Sequence, residues 1–329
     1  MVTLPASVVR RYPRFSLYNS PYAAHDRGHA VDLYPETNDG ISPVAGEVLD
    51  TRTVRAPSNP YAAEHDHLIL VDVGEYVARI LHVDPAVEPG DAVEVGESLG
   101  PMVRSGFFAP WVGNHVHLEF RDRQKNPYRA SGSEPLSIDA AVEPLPWDGE
   151  GRVAEVGETY VVLDSPAHPA PGERFVGVAC EVGPESGEKV GSEPEGKVGS
   201  EPEGKVGSES GERAALDGGL VHYAGGGALG NATGTESRSP TQGAQPVSLL
   251  GRRVGAAAGR DGEAAGRDVA WDDVAVLANG DPIAGLSLFA ARDADFGAKL
   301  ICPDHGFAVG DTVRVAIRPT DDPVRFTSG

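Results

Sequence analysis

Short runs of alternating apolar and polar residues, broken by Gly, Pro and Asp, fill the first 145 positions of this 329-residue chain. This period of two predicts half-buried β-strands over Ala30–Leu33, Gly46–Val54, Leu68–Val73, Tyr76–His82, Ala92–Val95 and His115–Phe120. No stretch of ten or more residues there carries the 3.6-residue period of an amphipathic helix, so residues 1–145 read as an all-β sandwich or barrel-like domain. Over Gly113–Phe120 the pattern has a chemical consequence. Val116, Leu118 and Phe120 alternate with His115, His117 and Glu119, which puts two imidazoles and a carboxylate on one strand face.

Past Leu145 the pattern restarts. Gly151–Val156 and Thr159–Leu163 read as a hairpin around Gly157-Glu158, and Arg174–Val182 reads as a further strand. An internal repeat of period eight follows, beginning at Glu188-Lys189-Val190-Gly191-Ser192-Glu193-Pro194-Glu195. A unit so short and so rich in Gly, Ser, Pro and Glu has no face to bury, which predicts a disordered insert rather than a solenoid. A second Gly/Ser/Thr-rich stretch runs from about Ala224 to Gln245. The expected organisation is therefore a first β domain over 1–145, a small second β domain from 146–183 and 246–329, and a low-complexity, largely disordered insert over 184–245. Within the second domain, Leu286–Ala291 and Thr312–Ile317 are the clearest strands, with Gly310-Asp311 as a turn.

Composition narrows the partners. With 28 basic and 49 acidic residues the formal charge is −21, which disfavours nucleic acid and anionic lipid. Only five of the basic residues are lysine, and the surplus of acid with Ala, Val and Gly suits a halophilic protein kept soluble in high salt, where its self-repulsion is screened. The N-terminus lacks a secretory apolar core, and no run approaches the ~20 apolar residues of a membrane span. A cytoplasmic protein is the resulting expectation. Cys180 and Cys302 are too isolated to imply a disulfide framework or a zinc ribbon.

Seven of the ten histidines (His25, His29, His65, His67, His82, His115 and His117) fall in the first 117 residues. They are interleaved with Asp32, which sits between Val31 and Leu33; with Pro43-Val44-Ala45-Gly46-Glu47-Val48; with Ala78-Arg79-Ile80-Leu81-His82; and with the Gly90-Asp91-Ala92-Val93 hairpin. In an apolar strand a carboxylate such as Asp32 is costly unless paired, metal-bound or on an exposed face. His65 and His67 flank Asp66 at a strand start, where capping or solvating that strand accounts for them.

This order of segments resembles the lysostaphin/LytM-type zinc metallopeptidases, of the duplicated hybrid motif fold, over roughly Ala24 to Phe120. The resemblance implies a bound Zn2+ with Asp32 and His117 as ligands, His115 as the base or orienting group for the attacking water, and His82 steadying the oxyanion. It implies hydrolysis of a peptide or peptide-like substrate. The chain departs from the family pattern in three places. The middle segment is one residue shorter; Ile80 stands where the family usually has a Tyr; and Gly28 occupies the first-histidine position, four before Asp32. The third metal ligand is then His25, folded back across a bend at Gly28, or alternatively His29 at a bulge. Glu119 is expected either behind an imidazole as an orienting carboxylate or on the surface as a solvated acid. The family's usual substrate is cell-wall peptidoglycan, which the missing export signal leaves without support here.

Two other classes are in view. One is a non-catalytic peptide- or glycan-binding scaffold on the same fold, suggested by the missing Tyr and the displaced first histidine. The other is a biotinyl- or lipoyl-carrier domain, excluded because the first lysine in the chain is Lys125, beyond the hairpin region.

Overall fold

The computed structural model describes residues 1–25, 27–183, 212–230, 244–258 and 266–326. Among them the only α-helix is a single turn, Ala6–Val9, and no helix is long and apolar enough to cross a membrane. The protein is all-β, as its alternating pattern requires.

In the first half the strands are β1 (Val2–Pro5), β2 (Arg14–Ser16), β3 (Ala30–Tyr34), β4 (Asp39–Ile41), β5 (Gly46–Val54), β6 (Asp66–Asp72), β7 (Tyr76–Leu81), β8 (Ala92–Val93), β9 (Ser98–Pro101), β10 (Val116–Asp122) and β11 (Leu136–Asp139). The main sheet runs β2-β3-β10-β7-β6-β5-β8 and is antiparallel throughout. Its inner face contributes Val31, Leu33, Ile69, Val71, Ala78, Ile80, Val116 and Leu118 to one core, shared with Leu4, Leu99 and Leu136 from β1, β9 and β11. Because strands alternate, the residues between these apolar ones line the other face. Asp32, Arg79, His117, Glu119 and Arg121 stand there, and all are buried. So long a buried polar row is tolerable only if its members satisfy one another.

The second half closes on itself. Phe175–Val182 pairs with Glu212–Leu220, then in turn come Gly225–Leu229, Gly266–Trp271, Arg252–Ala258 and Gln245–Leu249, which returns to Phe175–Val182. Closure into a small antiparallel barrel removes the exposed edges that a six-stranded sheet would otherwise present. Its interior is filled by Val178, Cys180, Leu216, Val247, Val254, Val269 and Trp271, among others. Both cysteines are free and buried.

The structure corrects the expected insert over 184–245. Two of the barrel's strands, Glu212–Leu220 and Gly225–Leu229, lie inside it and are buried along most of their length. Their Gly- and Ala-rich sequence reads as low complexity, yet the small residues are a packing requirement. A Cβ on Gly226 would stand 2.2 Å from Cζ2 of Trp271, and one on Gly227 would stand 2.2 Å from Cε2 of Tyr18. The period-eight repeat and the Gly/Ser/Thr-rich stretch over 231–243 lie outside the described residues.

Several ties join the halves, two of them at β2 and the residue after it. β2 pairs with Ala290–Ala291 of the second half. Asp217, on a barrel strand and fully buried, accepts hydrogen bonds from the Ser16 hydroxyl (2.5 Å) and the Leu17 amide (2.6 Å). Gly226→Val is expected to lower stability by about 1–3 kcal/mol, the usual cost of overpacking, measured as a shift of the urea midpoint. An unchanged midpoint would show that Trp271 does not need the space.

Candidate metal centre

Strand register assembles the centre. Asp32 on β3 lies directly opposite His117 on β10, and both point away from the apolar core. His115 precedes β10 by one residue and keeps the same face. His82 follows β7 on the other side of β10, with a left-handed backbone (φ 72°) that turns it out of the strand. His25 arrives from a compact loop between β2 and β3. That loop is closed by the bonds of His25 N–H to the Tyr22 carbonyl (2.8 Å) and of His29 N–H to the Ala24 carbonyl (2.9 Å), with Gly28 in the left-handed region (φ 58°).

Around Asp32 the distances are short. Its Oδ1 lies 2.9 Å from His117 Nδ1, 3.3 Å from His25 Nε2 and 3.3 Å from His115 Nε2, and His25 Nε2 is 3.2 Å from His117 Nδ1. His25, Asp32 and His117 thus form a group able to hold a metal ion. Donors 2.0–2.1 Å from a tetrahedral zinc ion stand about 3.3 Å apart, close to what these three show.

The hydrogen bonds behind the imidazoles sharpen the fit. His25 Nδ1 lies 2.6 Å from the Leu17 carbonyl oxygen, and His115 Nδ1 lies 2.9 Å from that of Gly113. A carbonyl only accepts, so each Nδ1 carries the proton, an assignment made from the bonding network. In the neutral ring Nε2 is then a bare lone pair, and in both cases it faces the same carboxylate oxygen. Acceptor against acceptor is unfavourable without a cation between them, either a proton or a metal. Backbone carbonyls behind ligating histidines are the usual way to fix that tautomer.

The electrostatics follow from burial and from this one anion. Burial pushes the Asp32 carboxyl up, but His115 and His25 outweigh it and hold Asp32 well below the ordinary carboxylate range. Burial pushes His117 down to about 3 and lowers His115 as well, in each case against the pull of Asp32. His25 is the exception: burial lowers it, yet Asp32 and the Leu17 carbonyl raise it on balance.

His82 has a dedicated partner that the sequence reading passed over. Its Nδ1 lies 2.6 Å from Oδ2 of Asp66, which is buried at the start of β6 and also accepts from the Ser105 hydroxyl (2.6 Å) and the His67 amide (2.7 Å). Asp66 was legible as a carboxylate between two histidines. Its partner became visible only with the register of β6 on β7, which brings residues 66–67 to the end of the strand before His82. Asp217 and the Leu17 carbonyl were equally beyond sequence reasoning, since Asp217 reaches the peptide of Leu17 from the second half of the chain.

The other candidates lie elsewhere. His29 Nδ1 is 3.1 Å from the Ser133 carbonyl oxygen rather than at Asp32, so the third member of the group is His25. Glu119 fits neither expectation. It is buried on the same face as His115 and His117, but it pairs with Arg79 opposite it on β7, with Arg121 (3.3 Å) and with the Ser133 hydroxyl. Spacing put it on the correct face; two strand positions beyond His117, it meets arginines instead of imidazoles. His65 is exposed near Glu64, and His67 is half-buried near Asp84 (3.6 Å), in keeping with strand-start roles. Ile80, in the position of the family Tyr, is a core residue opposite Leu118. Aromatic rings close over the centre instead. Phe108 stacks on His115 (ring centres 4.3 Å apart), and Phe107 meets Tyr22 (5.7 Å). The most exposed of the five central residues, His117, is 9 % accessible.

Fold and site together define an all-β protein of two parts carrying a buried His/Asp cluster able to hold a metal. The chain belongs to the family described as "Domain of unknown function (DUF8155)": its N-terminal domain matches residues 3–138 and its C-terminal domain residues 143–318. The two matches meet just after β11, ahead of the strands of the second half.

Burial pushes Asp66 up, but His82, Ser105 and the His67 amide outweigh it, so its carboxyl is held below the ordinary value of 3.8. The ionised form is therefore favoured by folding, and its stabilisation is complete above about pH 4 and lost as pH falls through the depressed value. Asp66→Asn is expected to cost about 1–3 kcal/mol at neutral pH and to flatten the acid-side decline, followed by thermal melts from pH 2 to 7. A variant as acid-sensitive as the parent would remove Asp66 from that role.

Proposed function

We propose that the N-terminal domain is a zinc-dependent hydrolase of peptide or amide bonds, with His25, Asp32 and His117 holding the metal. The observation that carries this reading is the convergence of two backbone-fixed imidazole lone pairs on one buried carboxylate oxygen, with a third imidazole beside it. Zinc bound there would supply Lewis acidity, polarising a substrate carbonyl and acidifying water towards a pKa of about 7.

The remaining steps fall to the chain's own groups. His115, outside the ligand group and with its pKa lowered by burial, presents Nε2 beside Asp32 Oδ1 (3.3 Å), where it can take a proton from the attacking water. Protonated there, it can return that proton to the leaving amine. His82, oriented by Asp66 through Nδ1, offers Nε2 and, as an imidazolium, donates to the developing oxyanion. Phe107 and Phe108 limit water around these groups, which strengthens each interaction. The order of the histidine and glycine segments, similar to that of the LytM-type peptidases, supports the same assignment.

A second reading is favoured by the enclosure itself. With every central residue at most 9 % accessible, a peptide reaches the centre only if the segment carrying Phe107 and Phe108 moves. Should that segment stay closed, the domain is a non-catalytic peptide- or glycan-binding scaffold whose buried centre stabilises the fold.

Protein purified without added metal is expected to carry close to one zinc by atomic emission, and His117→Ala to carry essentially none. Absence of zinc from the parent protein would sink the hydrolase reading. His115→Ala is expected to keep its zinc but lose about 10²–10⁴-fold in cleavage of a mixture of short peptides followed by mass spectrometry. If the parent holds zinc and cleaves nothing, while Phe108→Ala also cleaves nothing, the scaffold reading stands.

A further inference from the structure

A buried tie between the halves leads into the candidate centre. Asp217 lies on the barrel strand Glu212–Leu220, inside the C-terminal domain match, yet its carboxylate serves the N-terminal domain. It accepts from the Ser16 hydroxyl (2.5 Å) and the Leu17 amide (2.6 Å), at the point where β2 leaves the main sheet. Ser16 is the cross-strand partner of Asp32, and its oxygen also accepts from the Asn19 amide (3.1 Å). Leu17 carries the carbonyl that holds His25 Nδ1 (2.6 Å). The Tyr18 amide, in the same peptide unit as that carbonyl, also favours the ionised Asp217. Tyr18 itself rests on Gly227 of the barrel, and its hydroxyl donates to Asp268 (2.7 Å). The barrel therefore fixes the chain on both sides of the Leu17 carbonyl, and that carbonyl aims the ring whose Nε2 faces Asp32.

The charge on Asp217 needs a reason of its own. A neutral amide or hydroxyl oxygen can accept from a hydroxyl or a backbone amide without the desolvation cost of a buried anion. Among the described residues Asp217 has no Lys or Arg in an ion pair, and neither has Asp32, whose ion-pair partners are imidazoles. Burial pushes the Asp217 carboxyl up to about 7, against the pull of its hydrogen bonds and of His25. The influence is mutual, since Asp217 contributes to raising His25. With the imidazoles neutral, two buried carboxylates stand close to one another without a permanent cation. A divalent ion held by His25, Asp32 and His117 is the charge that balances both.

We propose that Asp217 is a positioning residue of the metal centre: through Ser16 and Leu17 it fixes the His25 ring and the strand beside Asp32, so that the second half of the chain sets how tightly the first half binds its metal. This rests on His25, Asp32 and His117 being the ligands, and not on whether the centre hydrolyses anything. Partners behind a ligating histidine govern its orientation and basicity, and here the outermost of them comes from the other domain.

Asp217→Asn keeps the side-chain shape but replaces one accepting oxygen by an amide group that faces a donor. In the full-length protein at pH 8, above the raised Asp217 value, it is expected to weaken zinc binding about 10–100-fold, measured by competition with a chromophoric chelator. Ile317→Ala opens a cavity in the barrel core, on a strand that pairs with Glu150–Val156 and Val274–Ala278 rather than with Asp217. It is destabilising too, but its zinc affinity is expected to stay within about twofold of the parent. In chelator-treated, ¹⁵N-labelled protein the His25 ring is expected to be the Nδ1–H tautomer. Asp217→Asn is expected to move its signals and leave those of His82, held by Asp66, in place. If Asp217→Asn fails to fold, Ser16→Ala, which deletes one of the two bonds, is read in the same way. Parent-like zinc affinity, an unmoved His25 ring, or an equal loss of zinc in Ile317→Ala would overturn the proposal. Zinc in the parent without cleavage of any peptide removes the hydrolase alone. Zinc in the parent with undiminished affinity in Asp217→Asn removes this proposal alone, and a parent without zinc removes both.

Discussion

Asp32 is the constraint around which the first half is arranged. A carboxylate with 2 % of its surface exposed carries a large desolvation cost, and here it is met by three imidazoles rather than by an arginine or lysine. Burial weakens two of these imidazoles as counter-ions by lowering His117 and His115, while Asp32 and the Leu17 carbonyl raise His25 on balance. The arrangement is poor as a salt bridge and good as a ligand set, since neutral imidazoles and an ionised carboxylate are the forms that bind divalent zinc. A few residues further along the same sheet face the chain handles a similar difficulty differently. Glu119 is paired with Arg79 and Arg121, so its charge is neutralised inside the protein.

The second half supports the centre without contributing a ligand. Asp217 accepts the Leu17 amide, the Leu17 carbonyl fixes the His25 tautomer, and His25 faces Asp32. A barrel carboxylate is thus two hydrogen bonds from the candidate ligand, through a single peptide unit. Trp111 makes a comparable bridge from the other side. It belongs to the segment that carries Phe107 and Phe108 over the histidines, and its carbonyl holds Lys299 of the second half. The two halves are thus joined on both sides of the histidine cluster.

Much of this was legible locally. The strand pattern around 30–33, 46–54, 76–82 and 115–120 was strong because alternation with one buried face leaves little choice of register. The five residues His25, Asp32, His82, His115 and His117 stood out by type and order, and all five converge. The third ligand, open between His25 and His29, depended on how the loop around Gly28 folds, which spacing alone does not decide. The barrel strands at 212–230 were missed because small residues signal disorder locally and close packing globally; only Trp271 and Tyr18 resting on Gly226 and Gly227 distinguish the two.

Local alternation along the chain determined the all-β class, the extended strands and the shared face of His115, His117 and Glu119, because a strand's side-chain period is a property of its own backbone. Tertiary structure decided the rest, since it depends on residues far apart in the chain. Antiparallel register put Asp32 opposite His117 across 85 positions. Strand pairing gave His82 its partner in Asp66, sent Glu119 to the arginines and brought Asp217 behind His25 from the barrel. No local pattern carries those pairings, and they separate a row of polar strand residues from a centre fit to hold a metal.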